Sequence, residues 1–89
     1  MKIMKIERTL KALANRRRLA IIQCLKKRKE ATVGQISQDI KLSFTATSKH
    51  LAVLHAADIV VREQRSLEMW YRVSPEINHI AKYISNSIE

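Results

Sequence analysis

A single cysteine stands in these 89 residues, which excludes a disulfide framework within the chain and any zinc site built from cysteine alone. Glycine and proline occur once each. There is therefore no glycine-rich loop to cradle a phosphate, no low-complexity segment and no stretch with the composition of a linker. No apolar run approaches the roughly 18 residues that a membrane span needs, and no signal-peptide pattern is visible. Acidic residues number eight. They form no credible carboxylate pair, and no nucleophile has a base beside it, so a catalytic reading is rejected. The expectation is a soluble, cytoplasmic protein that is not an enzyme and uses no cofactor.

Against those eight acids stand 17 Lys and Arg, a formal net charge of +9 at pH 7. Such an excess implies a polyanionic partner, either nucleic acid or an anionic membrane surface. The charge is uneven: residues 1–30 hold eleven basic and two acidic side chains, whereas residues 31–89 hold six of each. Arg16-Arg17-Arg18 and Lys26-Lys27-Arg28-Lys29 are tight clusters. The second suits the last turn of a helix, where cations complement the macrodipole, as well as it suits phosphate contact. An apolar content of 46% supports a folded core. A chain this short buries only about 60–65% of its unfolded surface by itself. One domain over residues 1–89, its core helped by dimerisation, is the expected organisation.

Periodicity orders the elements. Ile3, Ile6, Leu10 and Leu13 recur at helical spacing. Asn15 can cap a second helix, with Leu19, Ile22 and Leu25 inward and an end near Arg28 or Lys29. Thr32 can cap a short third helix carrying Val33, Ile36 and Ile40. After the turn Lys41-Leu42-Ser43, Ser43 can cap a fourth helix from about Phe44 to Ala57. Its inward stripe is Thr47, Leu51 and Leu54; its outer face is Phe44, Thr45, Ser48, Lys49, Ala52 and His55. Beyond Asp58 the period changes. Residues 59–65 and 69–73 are β-rich and read as a hairpin around Ser66-Leu67-Glu68. Ser74-Pro75 then looks like a helix start, leading a last helix striped with Ile77, Ile80, Ala81, Ile84 and Ile88.

The expected architecture is mainly α with a small β-hairpin, in the order α-α-α-α-β-β-α. Two helices across a short turn, the second with small polar side chains outward, describe a helix-turn-helix. One such helix fits a DNA major groove, where Thr, Ser and Lys reach base edges and phosphates. A basic hairpin behind it can press Arg62, Gln64 or Arg65 against the backbone or minor groove, which makes a winged helix.

These residues resemble the ArsR/SmtB-type winged-helix repressors. The run Leu13-Ala14-Asn15-Arg16-Arg17-Arg18-Leu19-Ala20-Ile21-Ile22 is similar to the opening segment of that family. Leu42-Ser43, Thr47-Ser48-Lys49-His50-Leu51 and Leu54 are similar to its recognition helix. Ala57-Asp58-Ile59-Val60 and Met69-Trp70-Tyr71-Arg72-Val73 correspond to the start and the return of its wing. The resemblance covers about residues 6–73 and implies a homodimeric, double-stranded-DNA-binding transcriptional regulator, a repressor on a palindromic operator. It implies that the first and last helices form the dimer, here through Ile3, Ile6, Leu10, Leu13, Ile77, Ile80, Ile84 and Ile88. Two apolar stripes beyond the needs of one small core agree with this. DNA contacts are expected from Arg16, Arg17, Arg18 and Lys41 on phosphates. Ser43, Phe44, Thr45, Ser48, Lys49 and His50 are expected at the major groove, with Arg62, Gln64 and Arg65 on the wing.

Departures from the family pattern are equally informative. Its metal sensors carry Cys-x-Cys at the start of the third helix; Thr32 and Gly34 stand at those positions, so that soft-metal site is absent. Of the last-helix zinc ligands only Glu76 and His79 have counterparts, and no metal site is expected there. The wing turn lacks the family's glycine. Cys24, among apolar neighbours, favours core packing over redox sensing. His50 favours a packed, hydrogen-bonded role over phosphate contact, and His55 reads as surface. Trp70 fits an exposed strand position or a plug between wing and helix better than a base-stacking platform. Phe44 fits contact with a thymine methyl or packing at its helix start. The alternative function is a protein-interaction module whose basic first third docks an acidic partner.

Overall fold

The computed structural model describes residues 1–89. It contains α1 (Ile3–Leu13), α2 (Arg16–Arg28), β1 (Ala31–Thr32), α3 (Val33–Ile40), α4 (Phe44–Ala56), β2 (Val60–Arg65), β3 (Glu68–Val73) and α5 (His79–Ser87). No helix is long and apolar enough to cross a membrane.

Local chemistry sets most helix starts. The Asn15 side chain accepts from the backbone N–H of Arg17 and Arg18. Thr32 and Gln35 form a reciprocal capping box at α3, and Ser43 accepts from Ala46 N–H at α4. Each cap satisfies donors that the first helical turn leaves unpaired. With only one glycine, which lies inside α3, the turns place other residues at positive φ: Lys29 at 72°, Lys41 at 56°, Asp58 at 60° and Ser66 at 55°. Left-handed backbone costs a non-glycine residue about 1–2 kcal/mol, so the surrounding packing must hold these turns.

That packing is one core of 16 apolar residues, in which Ile21, Ile22 and Leu25 of α2 meet Ile36 of α3, Leu51 and Leu54 of α4, and Ile59, Val60 and Tyr71 of the wing. Each large aliphatic side chain buried this way contributes roughly 1.5–3 kcal/mol. Thr47 is also fully buried, and its hydroxyl donates to Ser43 O at 2.8 Å. The expected inward stripe of the fourth helix is therefore observed residue for residue.

Three features depart from expectation. The sheet has three strands in the order β1-β3-β2 rather than two, with Ala31 opposite Tyr71 and Thr32 opposite Trp70. A two-residue strand is too short to show an alternating pattern; pairing to β3 defines it. The hairpin loop is Ser66-Leu67 alone, because Arg65 pairs with Glu68. The last helix starts at His79, not at Ser74-Pro75. Ser74 Oγ instead accepts from Glu76 N–H in a local turn. Asn78 is the effective cap, since its side chain accepts from Ala81 N–H while donating to the buried Thr9 hydroxyl at 3.0 Å. A cap bonded to a buried group of α1 outcompetes a Ser-Pro pair whose only side-chain bond is local. Glu76 consequently does not share a helical face with His79.

Candidate nucleic-acid interface

The α3–turn–α4 unit presents one exposed helical face. Lys41 closes α3 in the left-handed region, with its N–H directed at the Ser37 and Gln38 carbonyls. Leu42 N–H bonds Ser37 O at 3.0 Å, and Ser43 starts α4 one residue later. With Thr47, Leu51 and Leu54 buried, the opposite side of α4 carries exposed Thr45, Lys49 and Ala52, with Ser48 and His55 half-buried beside them. Phe44 projects from the helix start and is 61% exposed.

The sequence-expected cations divide into two groups. Arg16, Arg17, Lys41, Lys49 and Arg62 are exposed and enter none of the ion pairs of the structure. Arg16 and Arg17 occupy the first turn of α2, where a cation opposes the helix dipole; the fold gains nothing from them there.

Arg18 is different. Its Nε donates to Ala12 O at 2.6 Å, Nη2 to Lys11 O at 3.1 Å and Nη1 to His50 Nδ1 at 3.2 Å. It binds the carbonyl end of α1 to α4, and its donors are turned inward, so it is not a free phosphate ligand. Burial and the neighbouring Arg18 and Arg17 charges hold the His50 pKa below its ordinary value. A guanidinium only donates, so the Nδ1 that faces it is unprotonated. His50 thus takes the packed, hydrogen-bonded position.

Arg65 is likewise occupied. Register places Arg62 and Gln64 opposite Tyr71 and Met69, on the face turned toward the core, and Glu63 opposite Trp70 on the other face. Arg65 shares that far face, where it grips Glu30 with two bonds of 2.8 Å and contacts Glu63. Its guanidinium also lies 5.1 Å from the Trp70 ring centroid, within cation–π range. Glu30 and Glu63 raise the Arg65 pKa, and Arg65 lowers that of Glu30. Of the wing candidates, Arg62 keeps an uncommitted charge. Gln64 Nε2 donates to Ser66 O at 2.8 Å and braces the turn.

The apolar stripes also divide. Leu13 is buried in the core of its own protomer, and Ile77, Ile84 and Ile88 are half-buried, each packing one side against that core. Ile6 and Ile80 are half-buried. Ile3 is 84% exposed and Leu10 47%, and two residues absent from the sequence reading join them: Met4 and, on α5, Tyr83 at 77%. The signal for Tyr83 was its place on a helix next to α1, which only the fold reveals.

Cys24 is buried, with its thiol donating to Asp39 Oδ2 at 3.2 Å. Burial and then Asp39 push its pKa up to about 11. Asp39 is itself held at about 2 by Arg28, whose Nε donates to it at 2.6 Å. The position expected for a first metal thiolate is Thr32, whose hydroxyl accepts from Gln35 N–H, and no three His, Cys, Asp or Glu side chains gather where a metal ion would fit.

Comparison with known proteins agrees with this geometry. A family model described as bacterial regulatory protein, arsR family, matches residues 15–61. The transcriptional activator HlyU of Vibrio cholerae is 38% identical over 65 residues, 73% of this chain and 59% of HlyU, so the chain spans less than two thirds of that relative. The transcriptional repressor PagR of Bacillus anthracis is 32% identical over 77 residues, 85% of this chain and 77% of PagR. The structure of reduced HlyU has a TM-score of 0.80 at 32% identity, over 96% of this chain and 85% of that one. A homodimeric winged helix-turn-helix DNA-binding domain from Mycobacterium bovis, a possible ArsR-family regulator, has a TM-score of 0.83 at 27% identity, over 96% and 76% of the two chains.

Proposed function

The chain belongs to the bacterial arsR family of regulatory proteins, and we propose that residues 1–89 act as one DNA-binding unit of a homodimeric repressor on an imperfectly palindromic operator. The observation that carries this reading is the exposed face of α4: Thr45 and Lys49 stand on a helix whose other side is locked in the core, with nothing in the fold using them. Thr45, Ser48 and Lys49 meet the major groove. Arg16, Arg17 and Lys41 hold phosphates, and Arg62 reaches the backbone beside the wing.

The dimer is supported by the adjacency of α1 and α5, by exposed Ile3, Leu10 and Tyr83, and by the homodimeric Mycobacterium bovis relative. Twofold symmetry then sets two recognition helices about one DNA turn apart, or roughly 34–36 Å. Repression, by occluding the promoter, is the reading that the relative PagR supports, PagR being matched over more of both chains than the activator HlyU.

The regulator does not sense metal through the family's usual sites. Thr32 uses its hydroxyl as a helix cap, and Gly34 offers no ligand atom. Operator affinity is expected to stay the same with added zinc or with chelator, and a shift of about tenfold or more in either direction would overturn this.

The deciding experiment is fluorescence anisotropy with the DNA upstream of the protein's own gene and with a scrambled duplex, near physiological salt. The expected result is a preference of about a hundredfold or more, roughly 2.7 kcal/mol. Equal and weak binding to both would refute sequence-specific regulation and point to an acidic protein partner on the basic first third.

A further inference from the structure

We propose that the groove between the end of α2, the base of the wing and α5 is a binding site for the phosphate chain of a small molecule, a di- or triphosphate. The proposal is independent of the DNA-binding reading, because it uses none of the residues to which that reading gives a role.

The groove holds about 420 Å³, within the range of small-molecule sites. Lys26 and Lys29 line it from the end of α2, Arg72 from β3 and Lys82 from α5, and no carboxylate lines it. None of these four cations enters an ion pair, and Lys29, Arg72 and Lys82 are exposed. Lys26 is half-buried and gives two donors to the Ser85 and Ile88 carbonyls, which fixes α2 against α5 and leaves its third ammonium hydrogen uncommitted. Ser74 and Asn86 also line the groove. Ser74 Oγ accepts from Glu76 N–H, so its own hydroxyl hydrogen is free to donate. Glu76 is exposed and lies outside the lining. Glu30 lies near enough to Arg72 to feel its charge, but Arg65 grips both of its oxygens.

The fold by itself does not call for this convergence. The helix dipole accounts for a cation such as Lys26 in the last turn of α2. Arg72 stands on a strand, and Lys82 lies one turn inside the start of α5, where a cation opposes the dipole. Cations gathered from three elements without a counter-charge repel one another, and a bound polyanion removes that repulsion. The chemistry selects the ligand. A single carboxylate would leave three of the cations unmatched. A di- or triphosphate spreads several charges over oxygens that accept from N–H and O–H donors, and the planar Arg72 fork can grip two such oxygens at once. Position separates the groove from the operator face, since nothing from α3, α4 or the wing tip lines it. Arg72 and Val73 lie at the end of β3 opposite the Ser66-Leu67 turn. Lys82 stands about 100° around α5 from Tyr83, off the exposed face assigned to the dimer.

The test is isothermal titration of the full chain with inorganic triphosphate, near physiological salt and without divalent cations. One triphosphate per protomer is expected, bound at least about tenfold more tightly than sulfate. Arg72→Gln combined with Lys82→Gln is expected to weaken it by about tenfold or more. Arg16→Gln combined with Lys49→Gln removes the same charge from the operator face and is expected to leave it within about twofold, because salt screens distant charges. All four side chains are exposed, and circular dichroism checks the fold of both pairs. A nucleoside triphosphate run in parallel separates the carriers: tighter binding supports the site and assigns the nucleoside to it, and equal binding supports recognition of the phosphate chain alone. Equal weakening by the two variant pairs would reduce the effect to net charge and overturn the site, as would binding no tighter than that of sulfate. A groove pair that lowers the operator salt slope by about 2 yet leaves triphosphate binding unchanged would also overturn it, and assign the groove to DNA. Loss of duplex preference in wild type, with triphosphate binding retained, would remove the DNA-binding reading and support the groove.

Discussion

Arg18 Nη1 bonds His50 Nδ1 at 3.2 Å, so a basic residue from the first turn of α2 serves to seat α4 rather than to meet its ligand. The same guanidinium closes the carbonyl end of α1 through Lys11 and Ala12. Three helices therefore depend on one side chain, and on the neutral state of one imidazole.

That dependence has a sign. The folded pKa of His50 lies below its ordinary value, so the folded state disfavours protonation relative to the unfolded chain. Its contribution to stability is present above the unfolded value of about 6.5 and is lost as pH falls below it toward the folded pKa. Asp39, held at about 2, does not titrate in this window. Thermal melts should therefore show a declining Tm below about pH 6.5, and His50→Gln, which keeps an acceptor, should flatten that decline. An unchanged slope in the variant would remove His50 as its source.

The two occupied arginines and the free cations should separate by salt dependence. Removing a phosphate-contacting cation lowers the slope of log K against log salt by about 1. Lys49→Ala and Arg62→Ala are expected to do so with fold and dimer intact. Arg65→Ala is expected to weaken operator binding by loosening the wing while leaving the slope unchanged, because its charge is already paired with Glu30 and Glu63. A reduced slope for Arg65→Ala would show that it leaves Glu30 for the DNA.

Dimerisation should fail at the exposed α1–α5 face without loss of fold. Ile3→Glu combined with Tyr83→Glu alters two side chains that are 84% and 77% exposed in the protomer. Sedimentation should report monomer, circular dichroism should remain helical, and operator affinity should drop by at least tenfold (about 1.4 kcal/mol) as half-sites are bound singly. A persistent dimer would place the interface elsewhere.

Cys24 should behave as an inert thiol. With its pKa pushed up to about 11, only about one molecule in ten thousand is thiolate near neutral pH. Alkylation of the native protein at pH 8 should be slow and should accelerate in denaturant; Asp39→Asn should speed it in the native state by removing the adjacent negative charge. Rapid native labelling would contradict the buried, hydrogen-bonded geometry.

Much of the site was legible because its causes are local. Asn15, Thr32 and Ser43 cap helices through bonds spanning two or three residues, and Thr47, Leu51 and Leu54 declare a buried face by spacing alone. The same spacing misled where a distant group competed. Ser74-Pro75 carries the marks of a helix start, yet Asn78 prevails through Thr9, 69 residues away. Leu13 and Ile84 satisfy a helical stripe equally well whether they face a partner or their own core.

By itself, then, the sequence determined the order of helices, the helix-turn-helix, the presence of a hairpin and the excess of positive charge, since periodicity, capping and composition act within a turn or two of chain. Only the tertiary structure decided which charges are free. Arg65 meets Glu30 across 35 residues and Arg18 meets His50 across 32. Lys26, whose place in a basic run suggested its own helix end, donates instead to Ser85 and Ile88 at the end of α5. A long cationic side chain takes its partner from whatever carbonyl or carboxylate the fold brings within reach, and no local pattern encodes that choice.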